Sequence, residues 1–294
     1  MKESINKTAV ITGSSSGFGY LTTLTLARKG FKVWATMRDP DGKNKVKKSE
    51  LETIARQENL SIQIEELDIT NDNSVQNLAD MVIQTDGKLD VLVNNAGVMY
   101  VGITEAFSLE QVKEQFDINF YGVIRTSKAF LNVMRKSNDG LIINISSLAG
   151  RLVFPYFGIY CASKFALEAY SEALKYELKP FGVDVSIIEP GPFPTGLLYS
   201  GPKEADNQAL DGYGEMSGIP KAMLQNFGEF FKSDNAPNPQ LVANDVLKLI
   251  ELPKGNRPVR QVSGIDYGTV KLNEKVTPIQ ENHIRNNLQM EHLL

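Results

Sequence analysis

Short β-branched runs alternate with longer amphipathic ones through the first two thirds of this 294-residue chain, and few architectures accommodate that alternation. Strands are expected over residues 8–12, 31–37, 61–67, 89–94, 140–146 and 183–189. Helices are expected over 18–29, 48–58, 73–84, 108–134 and 157–179, with Gly30 closing the first and Pro180 following the last. A strand that is repeatedly followed by a helix returns in the same direction, so the pattern predicts a parallel sheet covered by helices on both faces. After Pro190 the pattern changes. Residues 192–232 begin rich in Gly, Pro and Tyr and read as a flexible substrate-covering segment. A helix returns over 241–252, a last short strand is expected within 258–267, and a surface helix over 277–294. No Pro/Ser-rich linker divides the chain, and the whole of 1–294 reads as one domain, with a C-terminal extension from about 268.

The first strand runs directly into Thr12-Gly13-Ser14-Ser15-Ser16-Gly17-Phe18-Gly19. Glycines let the backbone turn sharply and let a phosphate approach the main-chain N–H groups, and the helix that follows directs its unpaired N–H groups at the same point. The spacing is GxxxGxG rather than GxGxxG, but its strand-and-helix context points to dinucleotide binding. The second strand ends Met37-Arg38-Asp39. An acidic residue in this region selects NAD through the ribose 2′-hydroxyl, and an arginine accommodates the 2′-phosphate of NADP. Asp39 lies in an Asp-Pro turn, where aspartate caps its own backbone, whereas Arg38 can pair with phosphate. Ser14 or Ser16 could add a hydroxyl. NADP is therefore expected over NAD.

Composition narrows the chemistry. Lysine plus arginine number 31 against 35 aspartate plus glutamate, a net charge of −4, which argues against a nucleic-acid-binding surface. The basic run 43–48 reads as a solvated helix start. One cysteine, Cys161, suits a reducing, cytoplasmic setting and reads as a small buried residue. Only two histidines occur, His283 and His292, so no histidine-based triad or metal site is expected. The start of the chain lacks a secretory pattern, and no run approaches the length of a membrane span.

Acid–base chemistry must then come from other groups, and Tyr160-Cys161-Ala162-Ser163-Lys164 offers them. Residues four apart share a helix face. An ammonium beside a phenol favours the phenolate and brings it toward a useful range. Ser147 stands thirteen residues earlier, just past a strand end. Asn94-Asn95-Ala96-Gly97 and Pro190-Gly191 end other strands at the same edge, where open parallel sheets bind their ligands. Asn119, a polar residue in an apolar helical stretch, reads on its own as a hydrogen-bonded core residue.

TGSSSGFG, Asp68, NNAG, Asn119, Ser147, YCASK and PG-x-x-x-T occur in an order and spacing that resemble the short-chain dehydrogenase/reductase family over roughly residues 6–200. The resemblance implies a single Rossmann-type doubly wound parallel sheet and an NADP(H)-dependent oxidoreductase. It implies Tyr160 as acid or base, Lys164 lowering its pKa and holding the nicotinamide ribose, Ser147 donating to the substrate oxygen, and Asn119 holding a water in a relay to Lys164. The cofactor set it implies is Gly13, Ser14, Ser16, Gly17, Phe18, Gly19, Arg38, Asp68, Ile69, Asn95, Ala96, Gly97, Pro190, Gly191, Phe193 and Thr195, with Tyr160 and Lys164 shared. Phe18 departs from the smaller residue usual in the family and is expected to pack behind the turn.

Pocket residues are expected in 147–157, 99–101 and 193–223, among them Phe154, Tyr156, Phe157, Phe193, Leu197, Leu198 and Tyr199. An apolar lining suits a bulky hydrophobic carbonyl or alcohol, in line with a resemblance to the steroid- and retinoid-active members. A reductase of carrier-bound 3-oxoacyl groups and a cofactor-binding regulator without turnover are the alternatives. A homo-oligomer, dimer or tetramer, is expected through the two long helices.

Overall fold

The computed structural model describes residues 7–294, so the start of the chain, read above as lacking a secretory pattern, falls largely outside the described residues. Seven strands form one sheet: β1 (Thr8–Ile11), β2 (Lys32–Met37), β3 (Ile62–Glu66), β4 (Val91–Asn94), β5 (Gly140–Ile145), β6 (Val183–Pro190) and β7 (Arg260–Ser263). Their order is β3-β2-β1-β4-β5-β6-β7, and every pairing is parallel. The chain leaves β1 in one direction for β2 and β3 and returns on its other side for β4. The crevice where ligands bind such sheets therefore opens at the ends of β1 and β4.

Alternation within each strand builds two cores. On one face Val10, Trp34, Leu92 and Ile142 pack with α3 (Asp72–Asp86), α5 (Gly122–Ser137) and α6 (Gly158–Leu178). On the other, Ala9, Ile11, Val33, Val93 and Ile143 pack with α1 (Gly17–Arg28) and α9 (Gln240–Glu251). The fully buried Trp34 keeps its indole N–H satisfied by Asp86 at 2.7 Å. Local signals set the helix ends: Asn71 accepts from the Ser74 N–H to open α3, and Ser108 and Gln111 form a reciprocal cap on α4 (Leu109–Phe116).

Several boundaries differ from the sequence reading. The stretch 108–134 is α4, a π-helical segment Asp117–Tyr121, and α5 in succession. Helix α2 (Lys45–Glu58) begins inside the basic run. The covering segment 192–232 is not an open loop. It holds the short α7 (Asn207–Gly212) and α8 (Ile219–Phe231), whose apolar stripe the early Gly and Pro residues obscured. The terminal helix α10 (Thr269–Asn282) starts eight residues earlier than expected and passes through Pro278, giving way to a π-helical turn at His283. Among the described residues no helix is long and apolar enough to cross a membrane.

Candidate active site

The turn after β1 is held open by its glycines. Gly13 has φ +73°, and a Cβ there would lie 2.9 Å from Ala96 Cα. Gly19 lies so close to the turn that a Cβ would sit 2.3 Å from the Gly13 carbonyl oxygen. Asn95 clamps the turn from β4, its Nδ2 donating to Thr12 O at 2.8 Å and Gly13 O at 3.1 Å. The Asn95 and Ala96 N–H groups both donate to Thr12 Oγ1. Ser16 precedes α1 without capping it by its side chain. Gly13, Ser15, Ser16, Gly17 and Phe18 line a cavity of about 790 Å³ that runs along the strand ends. A small-residue turn kept tight by Gly13 and left-handed at Gly13 and Gly17, facing a helix start that no side chain caps, fits a pyrophosphate.

Two expected members of that cradle do other work. Ser14 is fully buried, its hydroxyl donating to Ile11 O at 3.1 Å and its N–H to Thr36 O at 2.8 Å, so it turns into the sheet and Ser15 takes its place in the wall. Gly19 lies behind the turn rather than in the cavity and permits the close packing of α1. Phe18 also packs as expected, edge-on to Phe193 with ring centroids 5.3 Å apart, though both rings reach the cavity wall.

At one end the cavity is bordered by Arg38, Asp39, Lys43, Asn44, Glu66 and Asp68. Asp39 has φ +45°, and its carboxylate accepts from the Lys43 N–H at 2.8 Å, so it caps its own turn as its sequence context suggested. The Arg38 carbonyl accepts from Asn44 Nδ2 at 2.6 Å. Asp68 is engaged with Thr70, accepting from its N–H at 2.9 Å and its hydroxyl at 2.7 Å, and Ile69 lies beside it in the wall. The basic run divides: Lys47 and Lys48 form exposed ion pairs with Glu50 and Asp41, whereas Lys43 lines the cavity, a placement the run of charges did not disclose.

Tyr160, Lys164 and Ser147 meet midway along the cavity. Helix α6 carries the first two on one face, both buried, and Ser147 stands just beyond β5. Lys164 Nζ donates to Ile145 O at 2.9 Å and lies 5.8 Å from the centre of the Tyr160 ring. Burial pushes the Tyr160 phenol above its ordinary value, and a hydrogen bond with Ser147 opposes this. Burial likewise pulls Lys164 down to about 8, against which the negative charge of Glu168 acts. Desolvation therefore dominates the phenol, and the hydrogen bond that opposes it comes from Ser147 rather than from the Lys164 charge. Asn119 sits in the π-helical segment, with Nδ2 donating to Val98 O at 2.9 Å and Ser163 Oγ at 3.1 Å while Oδ1 accepts from Val98 N. It is a buried clamp between the β4 loop and α6, outside the cavity wall.

Past the tyrosine the wall is apolar: Phe154, Phe157, Leu197 and Leu198 line it as expected, joined by Phe227 and Phe231 from α8 and by Tyr267. The sequence reading did not single out these three: Phe227 and Phe231 arrive because α8 packs on the Phe157, Tyr160 and Leu198 cluster, and Tyr267, in the loop after β7, stands 6.3 Å from Phe154. Tyr156 and Tyr199 lie outside the wall. Pro190, Gly191 and Thr195, at and beyond the end of β6, and Ala96 and Gly97, beyond β4, all line it, with β5 between the two strands. A Cβ on Gly191 would meet Ile265 O at 2.2 Å. Cys161 is buried, and no group of His, Cys, Asp or Glu among the described residues could hold a metal.

This geometry has known counterparts. A sequence model of the family described as short chain dehydrogenase matches residues 7–205, more than half of the chain. The chain is 42% identical over 188 residues to a 3-ketodihydrosphingosine reductase of Bacteroides thetaiotaomicron, covering 64% of each, so it spans just under two thirds of that relative's length. It is 32% identical over 271 residues to retinol dehydrogenase 8 of Homo sapiens, covering 89% of this chain and 82% of that one. Its fold matches a crystal structure of a short-chain dehydrogenase/reductase from Burkholderia phymatum in complex with NAD, with a TM-score of 0.75, 26% identity, and coverage of 98% and 97%. The extent of the family match and the agreement of the whole fold lead to one conclusion: the chain belongs to the short-chain dehydrogenase/reductase family.

Proposed function

We propose that this enzyme uses NADP(H) to interconvert a carbonyl and a primary or secondary alcohol on a hydrophobic substrate. The observation that carries the reading is the polarity of the cavity along the strand ends. Charged side chains border one end, apolar ones the other, and Ser147, Tyr160 and Lys164 stand between them. The bound nicotinamide would supply or accept the hydride. The turn around Gly13 and Gly17 would hold the pyrophosphate, with Thr195 nearby, and Arg38 with Lys43 would face the 2′-phosphate. Asp39 is occupied in its own turn, which favours NADP over NAD. Lys164 would hold the nicotinamide ribose. Ser147 and Tyr160 would donate to the carbonyl oxygen as negative charge builds on it, and in reduction Tyr160 would pass its proton to that oxygen.

Apart from Lys164, no lysine or arginine lines the cavity beyond Ser147. A substrate carboxylate would find no cation there, and the absence equally disfavours a phosphopantetheine-borne acyl group, which leaves an uncharged apolar ketone, aldehyde or alcohol. The regulator alternative gains nothing from a trio assembled in this way. The exposed Tyr121 and Phe165, beside and on the long helices, support a homo-oligomer formed there, and a single buried thiol suits cytoplasmic residence. The decisive variant is Tyr160→Phe. It should reduce turnover of an apolar ketone by about 10²-fold or more, the range for a lost general acid, while the NADPH dissociation constant stays within about twofold. Near wild-type turnover would overturn the mechanism.

A further inference from the structure

Behind the catalytic residues lies a cluster of charges that the chemistry above does not use. Glu168 is on α6, one turn beyond Lys164, and is 2% exposed. Its Oε2 accepts from Arg260 Nε of β7 at 2.9 Å. The same guanidinium donates to Glu172 on α6 at 2.7 Å and stands 3.4 Å from Glu189 of β6. Glu189 is wholly buried and accepts from Asn273 Nδ2 of α10 at 2.6 Å. Arg151, just after Ser147, donates to Asn273 at 2.9 Å and lies 4.0 Å from Glu189. Just past β5, Ser146 offers a buried hydroxyl near Gly150, where Glu168 also points.

Three features make this more than internal packing. First, the cluster adjoins every element of the site: Ser146 precedes Ser147, Glu168 follows Lys164 on the same helix face, and Glu189 precedes Pro190 and Gly191. Second, two guanidinium groups face three carboxyl groups, so full ionisation leaves one negative charge that only the Lys164 ammonium, one helical turn away, compensates. While Lys164 is neutral, such a site retains a proton. Third, Oε1 of Glu168 and Oε1 of Glu189 are buried with incomplete hydrogen bonding, the first beside the Ser146 hydroxyl and the second 3.4 Å from Arg260 Nε. Two carboxyl groups around one arginine, each incompletely satisfied, compete for that proton.

We propose that Glu168 is a positioning residue for Lys164: held by Arg260, it keeps a negative charge one helical turn below the lysine and sustains the ammonium form on which the tyrosine's acid–base work depends. Glu189 acts in the opposite sense, because it competes with Glu168 for the arginine and its ionisation returns the shared proton to Glu168. Burial of Lys164 in apolar surroundings favours the neutral amine, and the charge of Glu168 opposes this. Burial raises both carboxyl groups: at Glu168 the Arg260 charge and hydrogen bonds from Ser146 and Arg260 oppose the rise, whereas at Glu189 the charge of Glu168 adds to it and pushes that group up to about 8, so the pair resists double ionisation. Arg260 and Asn273 lie beyond the 7–205 stretch common to the family. This chain's C-terminal part thus bears on its catalytic lysine.

The inference rests on the assignment of Lys164 to the site, and its test is chosen to be independent of turnover. Protein labelled with ¹³C at lysine Cε is titrated by NMR without cofactor or substrate, the Lys164 signal being assigned by its loss in Lys164→Arg. In Glu168→Gln the midpoint of Lys164 should fall by about one pH unit, the lower end of the effect of a neighbouring charge. In Glu189→Gln the midpoint should rise, because Glu168 then ionises without a rival. A role in packing alone would leave both midpoints in place or move them the same way, and either result overturns the proposal. Should Glu168→Gln fail to fold, an unchanged or lowered midpoint in Glu189→Gln is sufficient to overturn it. Absence of turnover by the wild-type enzyme with every carbonyl tried would refute the functional reading and leave this titration fully informative.

Discussion

Three glycines separate backbone strain from steric contact and bear on why Gly13 and Gly19 of the turn proposed to hold the pyrophosphate admit no side chain. Gly87 closes α3 with φ +69° and has nothing within 4 Å of a Cβ position, so Gly87→Ala tests strain alone. The left-handed region costs an L-residue roughly 1–2 kcal/mol, partly offset by a stiffer unfolded chain, for a net loss of about 1 kcal/mol. Gly19 is the reverse case. It lies inside α1 with no left-handed backbone, and alanine is the better helix former there by about 1 kcal/mol. Its Cβ, however, would sit 2.3 Å from Gly13 O and 2.5 Å from Asn95 Nδ2. Neither atom can retreat freely, because Asn95 Nδ2 donates to that carbonyl and to Thr12 O. Overpacking against fixed atoms costs about 1–3 kcal/mol, and the backbone contact places this case at the upper end, with a net loss of about 2 kcal/mol. Gly13→Ala combines both penalties and should lose about 3 kcal/mol. Urea denaturation measures the stabilities, and quenching of protein fluorescence by NADPH measures binding. Gly19→Ala and Gly13→Ala should lose NADPH affinity by tenfold or more, estimated at about 1.4 kcal/mol per decade, while Gly87→Ala binds as wild type. If Gly19→Ala were as stable as wild type and bound NADPH normally, the close approach of α1 to the turn would not be what shapes the phosphate site.

Arg38→Ala, alone and with Lys43→Ala, should weaken NADPH binding by roughly fivefold to thirtyfold, as for a solvent-facing charge-assisted contact, and leave NADH unchanged; equal losses for both nucleotides would remove Arg38 from the 2′-phosphate site. Phe231→Ala should raise KM for a bulky apolar ketone by about tenfold with little change in kcat, because it removes uniform binding, and an unchanged KM would place the substrate elsewhere. Glu189 holds a proton in the folded state up to about pH 8 that the unfolded chain releases near 4.5. The folded state therefore binds more protons between those values, and stability should fall as pH rises through that window. Urea melts at pH 5 and pH 8 should show the fall in wild type and a flatter profile in Glu189→Gln; an equally steep fall in the variant would assign the proton to another group.

Much of this protein is determined locally and was therefore readable before folding was considered. The alternation of β-branched runs with amphipathic ones depends only on side-chain periodicity, and it specified a parallel sheet with helices on both faces. The small-residue turn from Thr12 to Gly19 and the four-residue spacing of Tyr160 and Lys164 are likewise local, because a turn needs its own glycines and a helix face needs only its own repeat. Asp39 is a similar case, since a carboxylate in an Asp-Pro turn caps the nearest N–H group whatever surrounds it.

Other features depend on what packs against what. Nothing in its neighbours distinguishes Ser14 from Ser15, and only the twist of the strand end decides which hydroxyl turns into the sheet and which faces the cavity. Lys43 looks like any other solvated lysine until the Asp39 turn folds it over the cavity rim. Phe227 and Phe231 enter the apolar cavity wall because α8 packs against Phe157, Tyr160 and Leu198, a placement that no helical repeat encodes. The protonation of the site is the furthest removed from sequence. The spacing of Tyr160 and Lys164 suggests a lowered phenol, yet burial of both groups reverses that expectation. The charge that opposes the burial of Lys164 comes from Glu168, whose partner Arg260 is 92 residues away in sequence. Periodicity and turn chemistry act over a few residues and so can be read from the chain; desolvation and ion pairing act through space, and only the tertiary structure decides them.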